Sequence, residues 1–215
     1  MLNPKIAVIT PSIPTRNFLL KRAQRSIDMQ TLPAWEAHVS LDLDRVGAAV
    51  NRQRALSMVT SACDWVAPLD DDDEMMPFHL EALYEHAMET GADYVYSWYE
   101  LVVLGKRMGG QYTRKPDGTL TDGAFPPGHF LNPFDPENPV ETTITILIKR
   151  ELLESVGGYE ALHRPEAYAA GASTGEDRNL TLRCIEAGAN IQHLVRRTWY
   201  WHHHGANTSG RPDRW

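Results

Sequence analysis

The segment Trp65-Val66-Ala67-Pro68-Leu69-Asp70-Asp71-Asp72-Asp73 decides the fold expected for this chain. A short apolar run that ends in charge is typical of a buried strand. Four carboxylates at the end of such a strand repel one another and lose hydration unless a cation lies among them. Ligands of open α/β sheets bind beyond the carboxyl ends of the strands. The segment therefore predicts a site for Mn²⁺ or Mg²⁺, which prefer oxygen ligands, at the edge of a parallel sheet.

Strand and helix patterns alternate on both sides of this segment. Apolar and β-branched runs predict strands at 5–10, 36–41, 64–69, 94–104, 142–148, 190–195 and 198–203. Apolar residues at helical spacing predict helices at 16–29, 48–62, from Pro77 to Gly91, at 150–156 and at 178–187. Repeated strand–helix–strand units predict an α/β fold with a mostly parallel central sheet flanked by helices.

The chain is expected to form a single domain with two functional parts. Residues 1–105 carry the regular alternation and are interpreted as a nucleotide-binding part. Residues 106–215 contain two irregular stretches, Lys106–Pro139 and Tyr159–Thr174, which are rich in glycine, proline and polar residues or lack a periodic pattern. Long irregular stretches in compact domains are usually functional, so this second part is interpreted as the acceptor side.

Composition restricts the classes of partner. The 215-residue chain has a net charge of −7, which argues against a general binder of nucleic acid or of anionic membranes. No apolar stretch approaches the ~20 residues of a membrane span, and the N-terminus does not resemble a signal peptide. Two cysteines, Cys63 and Cys184, cannot form a disulfide framework and are interpreted as reduced core residues. These observations predict a cytoplasmic protein.

Within the acidic segment, Asp70 and Asp72 form an Asp-x-Asp pair. Residues two apart in an extended segment lie on the same side, so one can ligate a metal while the other meets the metal or a ribose. Asp71 and Asp73 are then expected to face elsewhere, with Asp73 capping the following helix. The alternative is a solvated acidic turn without a ligand.

Two further motifs carry polar groups suited to catalysis. Gly175-Glu176-Asp177 precedes a helix, where an acid either caps the helix or serves as a general base. Trp201-His202-His203-His204 ends a strand, where an imidazole can meet a metal or a diphosphate, or can simply be exposed. A three-histidine zinc site is not expected, because adjacent strand residues point to alternate faces.

Smaller features are expected to line the same crevice. Thr10 and Pro11 end the first predicted strand, and Asp42 ends the second. Arg52 and Arg54 lie on the helix that follows Asp42, where a guanidinium can pair with phosphate or stack on a base. Each of these is also a common surface residue.

Together these features resemble the inverting family 2 glycosyltransferases with the GT-A fold, over nearly the whole chain. Residues 64–77 are similar to the metal-binding strand and loop of that family, and residues 175–188 to the helix whose aspartate is the catalytic base. Residues 6–11 resemble the opening strand that contacts the nucleotide base. The usual Asp-Asp-Gly-Ser is replaced by Asp42-Leu43-Asp44-Arg45, which leaves the base contact open between Asp42 and Asp44.

The resemblance implies transfer of a sugar from a nucleotide-diphosphate donor, with a UDP-sugar favoured, to the hydroxyl of a glycan, protein or small molecule. It implies Asp177 as the base, and Asp72, Asp70 and His204 as holders of Mn²⁺ or Mg²⁺. The implied nucleotide contacts are Thr10, Pro11, Asp42, Arg54, Asp70 and Asp71, with Glu176, His202, Arg52 and Asp44 as further candidates.

Two other functions are compatible with the residues. A sugar nucleotidyltransferase would need a glycine-rich, basic phosphate loop after the first strand, which Pro11-Ser12-Ile13-Pro14 is not. A non-catalytic module that binds carbohydrate or a cation would use the acids without a base.

Overall fold

The structure is a computed structural model that describes residues 4–108, 112–114, 120–122, 133–137, 145–159 and 176–204. Its strands are β1 (Ile6–Ser12), β2 (Glu36–Leu41), β3 (Trp65–Pro68), β4 (Glu74–Met75), β5 (Tyr94–Val103), β6 (Lys106–Arg107), β7 (Tyr112–Arg114), β8 (Leu120–Asp122), β9 (Ile146–Lys149) and β10 (Ile191–His203). Its α-helices are α1 (Asn17–Asp28), α2 (Ala48–Leu56), α3 (His79–Thr90), α4 (Arg150–Ser155) and α5 (Glu176–Glu186), and a 3₁₀ turn covers Pro14–Arg16.

A mixed sheet forms the centre of the described part of the chain, in the order β2-β1-β3-β9-β5-β10-β4, with β6 paired to β5. The pairs β1 with β2, β1 with β3, and β5 with β10 are parallel. Strand β9 lies between β3 and β5 and is antiparallel to both, so those two neighbours run in the same direction. The mostly parallel α/β architecture is therefore confirmed, with an antiparallel strand inserted at its centre.

Alternate side chains of the strands bury two apolar faces. On one face Ile6 and Val8 of β1 pack with α1 and α3, whose apolar residues recur at helical spacing. On the other face Ile9 of β1 and Val66 of β3 pack with α2, α4 and α5. Two helical layers therefore cover the two faces of the sheet.

The predicted helix at 48–62 is shorter in the structure, because α2 ends at Leu56. The amide of Thr60 donates to the carboxylate of Glu36 at 2.6 Å, and its hydroxyl donates to the same carboxylate at 3.0 Å. These bonds take Thr60 away from the helical pattern of backbone hydrogen bonds. The segment after this helix is thus held by β2, a contact that the local sequence pattern does not reveal.

The two strands predicted near the C-terminal end of the described chain are one strand, β10. Its pairing with β5 shifts register between Leu194 and Arg197 and again between Arg197 and Trp199. The polar residues at this point therefore lie in an irregularity of a continuous strand and not in a turn. Strand β4, which the sequence did not predict, pairs with β10 through Met75 and Trp199.

The predicted irregular stretch Lys106–Pro139 contains paired strands, since β7 and β8 form an antiparallel pair. The second stretch, Tyr159–Thr174, lies outside the described residues after Tyr159, as do residues 142–144 of the predicted strand at 142–148. Cys63 and Cys184 are both buried free thiols, as expected. No helix among the described residues has both the length and the apolar character needed to cross a bilayer.

Candidate active site

The acidic segment lies directly after β3, at the carboxyl end of that strand. One carboxylate oxygen from each of Asp70, Asp72 and Asp73 lies within 4.8 Å of the others, and we call these three residues the acid cluster. Asp72 and Asp73 are 7% and 3% exposed, so the alternative of a solvated acidic turn is not what the structure shows. Three converging carboxylates are the donor set that Mg²⁺ and Mn²⁺ favour, so the residues present fit such an ion.

Asp73 differs from its predicted position. It was expected to face away from Asp72 and to cap the next helix, but it joins the acid cluster, and its Oδ1 accepts the amide of His202 at 2.9 Å. Strand β4 begins at the next residue and pairs with β10, which places β10 beside Asp73. The prediction was wrong because strand β4, which the sequence did not predict, lies between the acids and the next helix.

Two arginines near the start of the chain face the acidic segment. The Nη1 atom of Arg16 lies 3.0 Å from Oδ1 of Asp71 and 3.3 Å from Oδ2 of Asp72. Arg22 donates to the backbone carbonyl of Asp72 and lies 3.5 Å from Glu74. Ser12, the last residue of β1, donates its hydroxyl to Asp71 at 2.7 Å. These contacts fix the acidic segment to the carboxyl end of β1.

The environment separates the proton affinities of these acids. Burial raises the pKa of Asp73 well above its usual value, and the charges of Asp72 and Asp70 add to the effect. Burial acts in the same direction on Asp72, but a hydrogen bond from His204 and the charge of Arg16 outweigh it and lower the pKa of Asp72. Asp72 is therefore held as an anion, ready to ligate a cation.

Two histidines of the late motif contact different acids, although residues two apart in a strand share a face, because His204 lies just beyond the end of β10. The Nε2 atom of His204 lies 3.2 Å from Oδ2 of Asp72, so the structure brings this predicted metal residue to the acid cluster. The Nε2 atom of His202 instead contacts Oε2 of Glu74 at 2.5 Å. His202 thereby fixes the strand that follows the acids, while its amide holds Asp73.

Arg52 connects the acid cluster to the start of α5. Its side chain is only 5% exposed, and it forms ion pairs with Asp70 on one side and Glu176 on the other. Burial disfavours the charged guanidinium, but the charges of Asp70 and Asp177 outweigh burial and raise its pKa. The predicted base, Asp177, therefore lies in the first turn of α5 and close to the same guanidinium as the acid cluster. In the structure the partners of Arg52 are carboxylates, and its role toward a phosphate or a base stays a prediction.

Comparison with known proteins agrees with this geometry. The model of glycosyl transferase family 2 matches residues 38–157, which is more than half of the chain and includes β3 and the acid cluster. The chain belongs to glycosyl transferase family 2. No curated protein sequence is similar enough to this chain to count as a relative.

Solved structures show the same fold in this family. A fragment of S. aureus TarS in complex with UDP superposes with a TM-score of 0.63 at 17% identity, covering 93% of this chain and 60% of that one. The same fragment in complex with UDP-GlcNAc superposes with a TM-score of 0.62 at 16% identity, and the match covers 93% of this chain and 58% of that one. The longer S. aureus TarS superposes with a TM-score of 0.60 at 16% identity, and the match covers 93% of this chain and 37% of that one. This family 2 chain thus has the GT-A fold and spans about 60% of the TarS fragment.

The residues predicted to bind the nucleotide occupy varied surroundings in this family 2 chain. Thr10 and Pro11 are buried in β1, which continues to Ser12. Asp42 is 6% exposed and accepts the amides of Val46 and Gly47, each at 2.9 Å. Asp42 therefore shapes the turn before α2, and its role toward a nucleotide stays a prediction.

The remaining nucleotide candidates divide between interior and surface. Asp71 is buried between Ser12 and Arg16, and burial raises its pKa despite both contacts. Arg54 and Asp44 pair with each other at 3.3 Å, with side chains 41% and 69% exposed. Their roles toward a nucleotide also stay predictions.

Sequence reasoning did not single out three of the residues that form this site. The sequence placed Ser12 in the loop after the first predicted strand, and Arg16 and Arg22 in the helix predicted at 16–29, without a role in the site for any of them. The position of Arg16 directly after the first strand was an available signal, because that edge of an α/β sheet is where charged groups meet ligands. Arg22 gave no comparable signal, since a charged residue on an amphipathic helix is usually solvated.

Proposed function

We propose that this chain is a metal-dependent, inverting glycosyltransferase that moves a sugar from a nucleotide-diphosphate donor to an acceptor hydroxyl. The observation that supports this most is the link from the acid cluster through Arg52 to Glu176 and Asp177. A cation-binding group and a candidate base are thereby held at one edge of the sheet. This is the arrangement that a displacement at an anomeric carbon requires, with the leaving group on one side and the acceptor on the other.

Asp70, Asp72 and Asp73, with His204 beside Asp72, are the residues that would hold Mn²⁺ or Mg²⁺. A divalent ion bound there supplies charge neutralisation for the departing diphosphate, a contribution of several kcal/mol. The identity of the metal is part of the proposal. The lowered pKa of Asp72 supports cation binding at this position, because an ionised carboxylate binds a cation without first losing a proton.

Asp177 takes the proton of the acceptor hydroxyl as that oxygen bonds to the anomeric carbon. The bond from this carbon to the diphosphate oxygen breaks on the opposite face, so the configuration inverts and the nucleoside diphosphate leaves with the electron pair. A carboxylate with an ordinary pKa of about 3.9 is a weak base for a free alcohol. It becomes competent because the hydroxyl acidifies as the new bond forms.

A UDP-sugar is the donor that we favour, since the S. aureus TarS fragment of the same fold is described in complex with UDP and with UDP-GlcNAc. The acceptor is proposed to bind on the side formed by residues 106–215. Phe134, from the first irregular stretch, packs edge-on against Tyr96 at 6.0 Å, which anchors that stretch to the sheet.

A thermal-shift series with nucleotide sugars tests the donor and the metal together. UDP-sugars should raise the melting temperature in the presence of Mn²⁺ and lose this effect when EDTA is added. The variant Asp177→Asn should keep the shift and lose at least about a hundredfold in UDP release from a UDP-sugar, because only the base is removed. Asp28→Asn, an exposed acid on α1, is the matched control and should keep both.

Three outcomes would contradict the proposal. A folded sample that no nucleotide sugar stabilises would lack a donor site. Pyrophosphate as the product would indicate a nucleotidyltransferase. Full turnover by Asp177→Asn would remove Asp177 from the reaction.

A further inference from the structure

Arg16 places a positive charge beside a carboxylate whose negative charge a metal ion would neutralise. It is the last residue of the 3₁₀ turn Pro14–Arg16, directly after β1. Its Nη1 atom contacts Asp71 at 3.0 Å and Asp72 at 3.3 Å. The guanidinium therefore serves as a counter-ion of Asp72.

The contacts of Asp72 show what must change when a cation binds. Its Oδ2 atom accepts both Arg16 at 3.3 Å and His204 at 3.2 Å. A carboxylate oxygen offers about two lone-pair positions, so a cation at this oxygen displaces one of the two partners. An imidazole nitrogen can itself ligate the metal, whereas a guanidinium stays charged and repels it. Arg16 is therefore the partner that leaves.

Burial distinguishes Arg16 from the other two arginines of the site. Arg52 is 5% exposed and is held by Glu176 as well as by Asp70. Arg22 bonds to the backbone carbonyl of Asp72 and lies near Glu74, so it contacts no carboxylate of the acid cluster. Arg16 is 17% exposed, and its contact on Asp72 is with a carboxylate that a metal would use. Among these three arginines, Arg16 alone combines a partly exposed side chain with a contact to a carboxylate of the acid cluster.

We propose that Arg16 is a displaceable counter-ion, which leaves Asp72 when a divalent cation binds and then pairs with the diphosphate of the donor. This inference rests on the proposed function. The planar fork of a guanidinium matches two phosphate oxygens, and Arg16 lies at the carboxyl end of β1, where ligands of such sheets bind. One side chain thus balances the charge of Asp72 before binding and contributes to donor affinity afterwards.

The test measures two affinities in Arg16→Gln. Mn²⁺ alone, followed by electron paramagnetic resonance of the free ion, should bind about tenfold more tightly, because no guanidinium competes for Asp72. UDP at saturating Mn²⁺, followed by calorimetry, should bind about tenfold more weakly, because a charged partner of the diphosphate is missing. Effects of opposite direction on the two ligands are the signature of displacement.

The controls separate this exchange from charge and from folding. Arg25→Gln removes the same charge from an exposed position on α1 and should change neither affinity by more than about twofold. Circular dichroism and the melting temperature without ligands verify that Arg16→Gln is folded. Weakening of both ligands would make Arg16 a purely structural residue, and unchanged affinities would remove it from the site; either result overturns the inference. A wild-type protein that binds Mn²⁺ but not UDP would instead refute the proposed function, and with it the second half of the inference.

Discussion

At the scale of the residue, Arg52 and Arg54 show how burial decides what an ion pair contributes to the stability of the fold. The two arginines are two positions apart on α2 and differ in side-chain exposure, at 5% and 41%. Arg52 is enclosed by Asp70 and Glu176, whereas Arg54 meets the exposed Asp44. Removing one member of a buried pair leaves an uncompensated charge, while an exposed pair contributes little.

We therefore expect Arg52→Met to lower the free energy of unfolding by about 3–5 kcal/mol. Arg54→Met, with the same change of side chain, should lower it by less than about 0.5 kcal/mol. Urea denaturation followed by circular dichroism measures both. Equal losses in the two variants would show that the Arg52 pairs do not stabilise the native state.

At the scale of the element, the turn after α4 joins α4 to α2. Gly158 has a φ of +59°, and an added Cβ would meet the side-chain amide of Gln53. That amide oxygen accepts the backbone N–H of Tyr159 at 2.8 Å, so it is not free to move away. Arg183 of α5 also donates to the carbonyl of Gly158 at 2.8 Å, which ties the helix of the candidate base to the same turn.

Gly158→Ala should therefore destabilise the protein by about 2–3 kcal/mol, from the left-handed backbone and the lost hydrogen bond together. Gly91→Ala is the matched control, because Gly91 has a φ of +67° with nothing within 4 Å of an added Cβ. Gly91→Ala should lower the free energy of unfolding by about 1 kcal/mol, from the left-handed backbone alone. Thermal unfolding of both variants gives the comparison, and a smaller effect at Gly158 than at Gly91 would contradict the predicted clash.

The strands and helices differ in how well sequence pattern placed them. Buried strands such as β1 and β3 were found to within two residues, because a continuous apolar run needs no partner to be recognised. The end of α2, the irregularity of β10 and the short strand β4 were not found. These three features lie where the chain contacts a segment that is distant in the sequence. The hydrogen bond from Thr60, shortly after α2, to Glu36 of β2 is an example.

At the scale of the whole molecule, a buried histidine couples the fold to pH. His79 begins α3 and is fully buried, with its Nδ1 atom 2.6 Å from the hydroxyl of Thr198 on β10. Burial lowers its pKa from 6.5 to about 3. The unfolded chain thus binds a proton below about pH 6.5 that the folded chain does not bind, so stability is retained above this pH and lost as the pH falls toward 3.

Between pH 7 and pH 5 this single group should lower the free energy of unfolding by about 2 kcal/mol. His79→Phe should be less stable at pH 7, because the hydroxyl of Thr198 keeps Ser97 but loses His79 as a partner. Its stability should nevertheless fall by about 2 kcal/mol less over the same interval. Urea denaturation of both proteins at several pH values provides the measurement. Identical pH dependence in the two would show that His79 titrates normally in the native state.

The sequence by itself determined the α/β class, the family resemblance, and the place of the acids after β3, since these follow from apolar runs, turn residues and clustered charge. It also named Asp72 and His204, and in the structure Oδ2 of Asp72 lies 3.2 Å from Nε2 of His204. Only the tertiary structure decided which charges meet. Arg16 and Asp71 are 55 positions apart, and Arg52 reaches Glu176 through the packing of α2 and α5 on one face of the sheet. Local periodicity fixes the face on which a side chain lies, but its partner there comes from another element, whose distance is set by packing and strand register.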